Sequence, residues 1–194
     1  MRVYDKMEKP DHQQVGKPLP SAEAVNAAIK ATCSKLVLFV RDTNLPYEIT
    51  HKYHKGMIVK ERGFVDATAL RGGMVTAHRY MILSNHMPMV PTPDKPWALC
   101  VANKDSRFLV LGKGKCDGKR VTVLLHLHND SWQLFKSIDM SFSQGLLNKC
   151  FDDFVKCIAQ APIASVTSQE WLARCQFPVG MSDDGVFFPI DDEA

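Results

Sequence analysis

The stretch 106–127, SRFLVLGKGKCDGKRVTVLLHL, sets two β-rich runs on either side of Asp117-Gly118. Asp-Gly supplies two consecutive residues that tolerate positive φ. A tight hairpin turn needs both, because only that turn matches the right-handed twist of its strands. The spacing predicts antiparallel strands over about 106–113 and 119–127. A long hairpin with apolar runs commits the chain to a sheet, and a sheet needs other elements to cover its faces.

Helical cover is offered at both ends of the chain. Ser21 is a good N-cap, and Val25, Ala28, Ile29 and Cys33 recur at helical spacing, so a first helix is expected over about 21–34. In 143–161, Leu147, Cys150, Phe151, Phe154, Ile158 and Ala161 form one stripe opposite Lys149, Asp152, Asp153 and Lys156. Thr167 and Glu170 make a capping-box pattern ahead of Trp171, Leu172 and Cys175.

Between these helices the chain is β-rich. Strands are expected at KLVLFV (35–40), closed by a turn at RDTNLP, and at YEITHKY, MIVKERGFVDA and MVTAHRYMIL (74–83). Gly72-Gly73 reads as a hairpin turn, and the proline-rich 86–96 breaks regular structure before WALCVAN. The order predicts an α+β fold, a mostly antiparallel β-sheet with an N-terminal helix and C-terminal helices packed on it. Residues 1–20, polar and proline-bearing, read as a loose lead-in to a single domain over 21–194, long enough for one sizeable core.

Compartment follows from what the chain lacks. The first 20 residues have no apolar core of a signal peptide, and no run of 18 apolar residues could span a membrane. The six cysteines include no CxxC pair, so reduced thiols in the cytoplasm are expected, with Cys33, Cys100, Cys150 and Cys157 as small core residues.

The strongest chemical signal is VTVLLHLHND (121–130). In a strand, His126 and His128 point to one face and could share an ion, with Asp130 as an oxygen ligand. The run resembles the start of the metallo-β-lactamase motif, His-x-His-x-Asp-His, which implies a metal centre. It departs from the motif at Ser131, and no histidine follows His128. A third ligand would have to come from His51, His54, His78 or His86.

The hairpin tip is the second candidate. Lys113, Lys115, Lys119 and Arg120, with Arg107 on the adjoining strand, form a basic finger able to bind a nucleic acid or another anion. Tyr53, Tyr80 and Trp97 would then offer stacking surfaces. The same cations surround Cys116 and would favour its thiolate, making it a candidate reactive thiol. Against a polyanion partner, the net charge is only +3. No GxGxxG, Walker A or GxSxG pattern occurs. The tail segment GVFFPI is an apolar cluster between acidic runs, expected to pack back on the domain or to dock on a partner.

With no complete catalytic constellation in view, the residues favour a small cytoplasmic protein that binds a macromolecular, most simply protein, partner without catalysis and without a cofactor. Two alternatives stand beside it. One is a metal-assisted hydrolase or nuclease using His126 and His128 with Zn or Mn. The other is a nucleic-acid accessory protein using the basic hairpin 113–120.

Overall fold

The computed structural model describes residues 20–136 and 138–190. The expected lead-in over 1–20 falls outside them except for Pro20. The fold is α+β. Helices α1 (Ala22–Cys33), α2 (Tyr47–Thr50), α3 (Gln144–Ile158) and α4 (Gln169–Arg174) accompany seven strands: β1 (Val37–Thr43), β2 (Ile58–Lys60), β3 (Val65–Thr68), β4 (His78–Ser84), β5 (Leu99–Ala102), β6 (Arg107–Cys116) and β7 (Lys119–Leu127). No helix among the described residues is long and apolar enough to cross a membrane.

The strands form one sheet in the order β2-β6-β7-β4-β1-β3-β5. It is mixed, which corrects the expectation of a mostly antiparallel sheet: β4 and β7 run parallel, with His78 opposite Arg120 and Leu83 opposite Leu125. The connection explains this. After β4 the chain crosses to one edge to make β5 beside β3, then returns to the other side, where the β6–β7 hairpin lays its second strand along β4. The hairpin turn is as expected, with Asp117 at φ 47° and Gly118 at φ 75°. β1 and β3 share only one register pair, Val40 with Thr68, so the sheet opens between them.

Each face carries its own core. On one, Met81, Leu83, Leu109, Val123 and Leu125 pack under α1 and α3 through Ala28, Leu147, Cys150 and Phe154. On the other, Phe39, Tyr80, Ile82, Phe108, Val110 and Leu124 are covered by Tyr53 and by Val179, Met181 and Phe187 of the C-terminal segment. The GVFFPI segment therefore packs back on the domain: the Phe187 ring meets Tyr53 at 5.9 Å, and the Arg62 guanidinium lies 4.8 Å over Phe188. A third cluster joins Trp97 and Leu99 to Val166, Trp171 and Cys175.

Several local expectations need correcting. YEITHKY is not a strand: after Pro46 the chain turns into α2, with Thr50 buried. β1 does not stop at Val40 but runs through Arg41, Asp42 and Thr43, all buried. Charged residues can continue this strand because Asp42 has a partner, Arg79 of β4, at 2.6 Å and 2.8 Å. The cap of α4 is Ser168, whose Oγ accepts from Trp171 N at 3.3 Å, while the Thr167 hydroxyl donates to Ile163 O at 3.0 Å. Gly72-Gly73 is a close approach rather than a hairpin. A Cβ on Gly73 would lie 2.1 Å from Gln160 O, so only glycine lets this loop bridge Pro162 beyond α3. All six cysteines are free thiols, with Cys100, Cys150, Cys157 and Cys175 buried.

Candidate functional site

The histidines of the 121–130 motif meet by their faces. His86 stacks on His126 at 3.9 Å between ring centroids and on His128 at 4.2 Å, while Phe108 stacks on His126 at 4.8 Å. A metal takes the in-plane lone pair of an imidazole nitrogen, and those of His126 are engaged. Its Nδ1 lies 3.0 Å from Ser84 Oγ and its Nε2 3.1 Å from Ser106 Oγ. Among the described residues no group of three or more His, Cys, Asp or Glu could hold a metal ion. His86 does approach the pair, as a three-histidine site would require, but it stacks instead of converging. The hydrolase reading on His126, His128 and Asp130 thus has no ligand set to stand on.

The column has an electrostatic consequence. Burial, then the neighbouring His86 and His128, pushes His126 down to about 3, and burial with the Arg120 charge does the same to His78. Both rings are neutral in the folded protein at pH 7, while in the unfolded chain they titrate near 6.5. Because the unfolded state binds protons first, stability is complete above about pH 6.5 and falls as pH drops towards 3. Between pH 7.5 and 5.5 each ring is expected to remove about 1.4 kcal/mol from the unfolding free energy. Urea midpoints at the two pH values check this, and a smaller drop in His126→Gln assigns the ring.

The basic finger divides. Arg107 is 7% exposed, donates to Asn129 Oδ1 at 3.3 Å and lies 4.5 Å over the Trp132 ring, so it is absorbed into the core edge. Lys119 Nζ donates to Thr76 O at 2.8 Å. Lys113, Lys115 and Arg120 line a common cleft with Tyr47 and Thr50 of α2. Tyr53, Tyr80 and Trp97 are buried and cannot stack on a nucleic acid, which corrects that expectation. Cys116 is half-buried and packs against the core beneath α3.

A site that sequence reasoning missed lies where the sheet opens. Arg41 projects from β1 on the same face as Phe39 and Tyr80, and is 5% exposed. Its Nη1 donates to Asp66 O at 2.8 Å and its Nη2 to Phe177 O at 3.2 Å, while Nε is buried without a hydrogen-bond partner. Arg174 pairs with Asp66 at 2.8 Å on this side, while Arg79 and Asp42 pair at 2.6 Å on the opposite face of the sheet. Arg41 itself makes no ion pair among the described residues.

Arg41 lines a cavity of about 250 Å³ together with Arg174, Glu61, Phe64, Phe177 and Phe188. Phe64 is 66% exposed and Phe177 47% exposed, so two flat apolar rings are open to a ligand. Glu61 is held in place by Gly63 N at 2.9 Å and Gly180 N at 2.7 Å, and Asp183 stands exposed on the same lining. The C-terminal segment forms one wall, gripped through its backbone. Tyr53 Oη donates to Val179 O at 2.6 Å, and Lys52 Nζ to Gly185 O at 2.7 Å. The one sequence signal for Arg41 was the alternation Phe39-x-Arg41-x-Thr43, which continues the buried face of the strand.

No family model matches the chain, and no curated protein matches its sequence. Solved structures match it in part. The ADP-ribosyltransferase HopU1 of Pseudomonas syringae pv. Tomato DC3000 aligns over 47% of this chain and 46% of its own, at 13% identity and a TM-score of 0.41. Exoenzyme S from Pseudomonas aeruginosa, in complex with human 14-3-3 protein beta and bound to Carba-NAD, aligns over 64% and 62%, at 16% identity and a TM-score of 0.42. C3stau2 from S. aureus, with NAD, aligns over 48% and 63%, at 10% identity and a TM-score of 0.40. The chain spans less than two thirds of the length of each of these structures. HopU1 and exoenzyme S are named as enzymes, and on that finding the expectation of a non-catalytic protein-binding module is corrected and set aside.

Proposed function

We propose that this protein is a nucleotide-dependent group-transfer enzyme that holds the phosphates of its nucleotide in the Arg41 cavity. The carrying observation is Arg41: a guanidinium 5% exposed, on the wall of a cavity, in ion-pair contact with no carboxylate and with its Nε unpartnered. Burying such a charge without a directly paired carboxylate is costly even with Glu61 and Asp183 on the same lining, so a structural role alone is a poor account of it. Of its five N–H groups two are engaged by carbonyls, which leaves donors for an anion.

Arginine suits phosphate, because its planar fork can bind two oxygens at once. Arg174 adds a second cation, and Phe64 and Phe177 offer faces on which a base or pyridine ring can stack. Arg41, the cation of this lining that makes no ion pair, would also stabilise charge that develops on a diphosphate when a bond to it breaks. In this reading the expected protein partner is the acceptor of the group. The partial likeness to other structures adds no weight, but it suggests NAD as the first probe.

The test is a calorimetric titration of NAD into wild type, Arg41→Gln and Phe64→Ala, with nicotinamide release followed in parallel. We expect saturable binding, weakened about tenfold or more in Arg41→Gln, a loss of about 1.4 kcal/mol. Phe64→Ala leaves the core intact and should weaken binding several-fold. Equal affinity in wild type and Arg41→Gln, or none in wild type, overturns the reading.

A further inference from the structure

A register shift in β6 builds a second cleft on the same face of the sheet. Up to Val110, which pairs with Leu124, the even-numbered residues of β6 face the Tyr80 side. A bulge then intervenes, and Gly112 pairs with Val123. From there the parity is reversed. Gly112 and Gly114 face α3, where a Cβ would lie 2.9 Å from Leu147 and 2.9 Å from Phe151 respectively. Lys113 and Lys115 are turned to the opposite side, paired with Thr122 and Arg120. Bulges re-aim side chains in this way, and here the bulge collects cations that a regular strand would have split from their neighbours.

Arg120 in turn lies beside His78 of β4, so His78, Arg120, Thr122 and both lysines share one face. Tyr47 and His51 close the cleft from the α2 side, and its volume is about 330 Å³. Two of the three cations are fixed. Lys113 Nζ donates to His51 O at 2.7 Å, and Arg120 Nη2 donates to Leu45 O at 2.8 Å. No carboxylate lines the cleft. Two polar groups within it lack partners. His78 is fully buried, with Nε2 2.9 Å from Thr122 Oγ1 and Nδ1 unpartnered, and Arg120 Nε is buried and unpartnered as well. Tyr47, 58% exposed, holds its ring 5.5 Å from His51 and 5.9 Å from the Arg120 guanidinium.

We infer that this cleft is a second ligand site, for a phosphate-bearing small molecule whose aromatic ring lies on Tyr47. Fixed donors of one sign in a concave pocket, together with the buried Arg120 Nε–H left without a partner, are what an anion site requires. An exposed tyrosine beside them is suited to a flat ring. The cleft shares no lining residue with the Arg41 cavity, and so stands independently of the group-transfer reading.

The experiment titrates ADP, inorganic pyrophosphate and adenosine into wild type, the double variant Lys113→Gln/Lys115→Gln, Tyr47→Ala and Arg41→Gln. Both lysines are exposed, so the double variant keeps the fold, and a thermal melt verifies it. We expect ADP to bind wild type more tightly than pyrophosphate does, and adenosine not to bind measurably. The double variant should weaken ADP and pyrophosphate at least tenfold, Tyr47→Ala should erase the advantage of ADP, and Arg41→Gln should leave at least one ADP site unchanged. No binding of ADP or pyrophosphate, affinity unaltered in the double variant, or binding abolished by Arg41→Gln alone would overturn the second site. Loss in Arg41→Gln with unaltered affinity in the double variant would favour the Arg41 cavity, and the reverse pattern the cleft, so the two readings fail separately.

Discussion

Asp42→Ala is expected to lower the unfolding free energy by about 3–5 kcal/mol. Asp42 and Arg79 are 5% and 1% exposed, and the carboxylate takes both Nε and Nη2 of the guanidinium. Nη2 also donates to Gly72 O at 3.0 Å, while Nη1 has no partner. Without the carboxylate, a cation remains in the interior with one carbonyl for company, and its desolvation is no longer offset. The magnitude belongs to breaking the pair and not to its net worth, so replacing both partners should be far milder. Asp42→Ala combined with Arg79→Met should therefore recover most of the loss. Urea unfolding of the single and double variants measures both figures, and a single-variant loss below about 1 kcal/mol would mean that water reaches Arg79.

Phe154→Ala should cost a similar amount, about 3–5 kcal/mol, for a different reason. Phe154 is 2% exposed and belongs to the cluster that α3 makes with Leu109, Leu111 and Val123. The helix cannot easily settle into the space left behind, because its neighbours Leu147 and Phe151 already press on Gly112 and Gly114. The cavity then persists and its cost adds to the lost transfer energy. Denaturant unfolding checks the figure, and a loss below 1 kcal/mol would show that this face of α3 is not the core face.

The parts of this fold that could be read in advance are those whose cause is local. Asp117-Gly118 dictates its turn by backbone preference alone, Ser21 caps α1 by accepting from Ala24 N at 3.1 Å, and the stripe of α3 repeats at helical period. What escaped the sequence depends on partners far along the chain. Arg41 and Asp42 looked like a turn because charged residues seldom continue a buried strand. They do so here through Arg79, the Asp66 carbonyl and Phe177, which lies 136 residues from Arg41. YEITHKY alternates like a strand, yet Pro46 and the packing of Ile49 turn it into α2.

The placement of the basic side chains was not legible. Lys113, Lys115, Lys119, Arg120 and Arg107 read as one basic finger, and nothing in the spacing announces the bulge that turns Lys113 and Lys115 to the face of Arg120. Arg107 belonged to the same charge pattern and is instead spent on Trp132 and Asn129. The histidine pair drew attention through its similarity to a metal motif, whereas Ser84 and Ser106, from two other parts of the chain, fix His126 as a hydrogen-bonded ring in a stack.

In the proposed function Arg41 is the group that receives an anionic ligand. Its Nε–H is buried and without a partner, so the corresponding ¹⁵N–¹H resonance, assigned by its absence from Arg41→Lys, reports directly on that site. Saturation with NAD is predicted to move this signal downfield, as a phosphate oxygen accepts the free N–H, while the Arg79 Nε–H signal, already bonded to Asp42, stays in place. An Arg41 signal that does not move while NAD is shown to be bound would contradict the account.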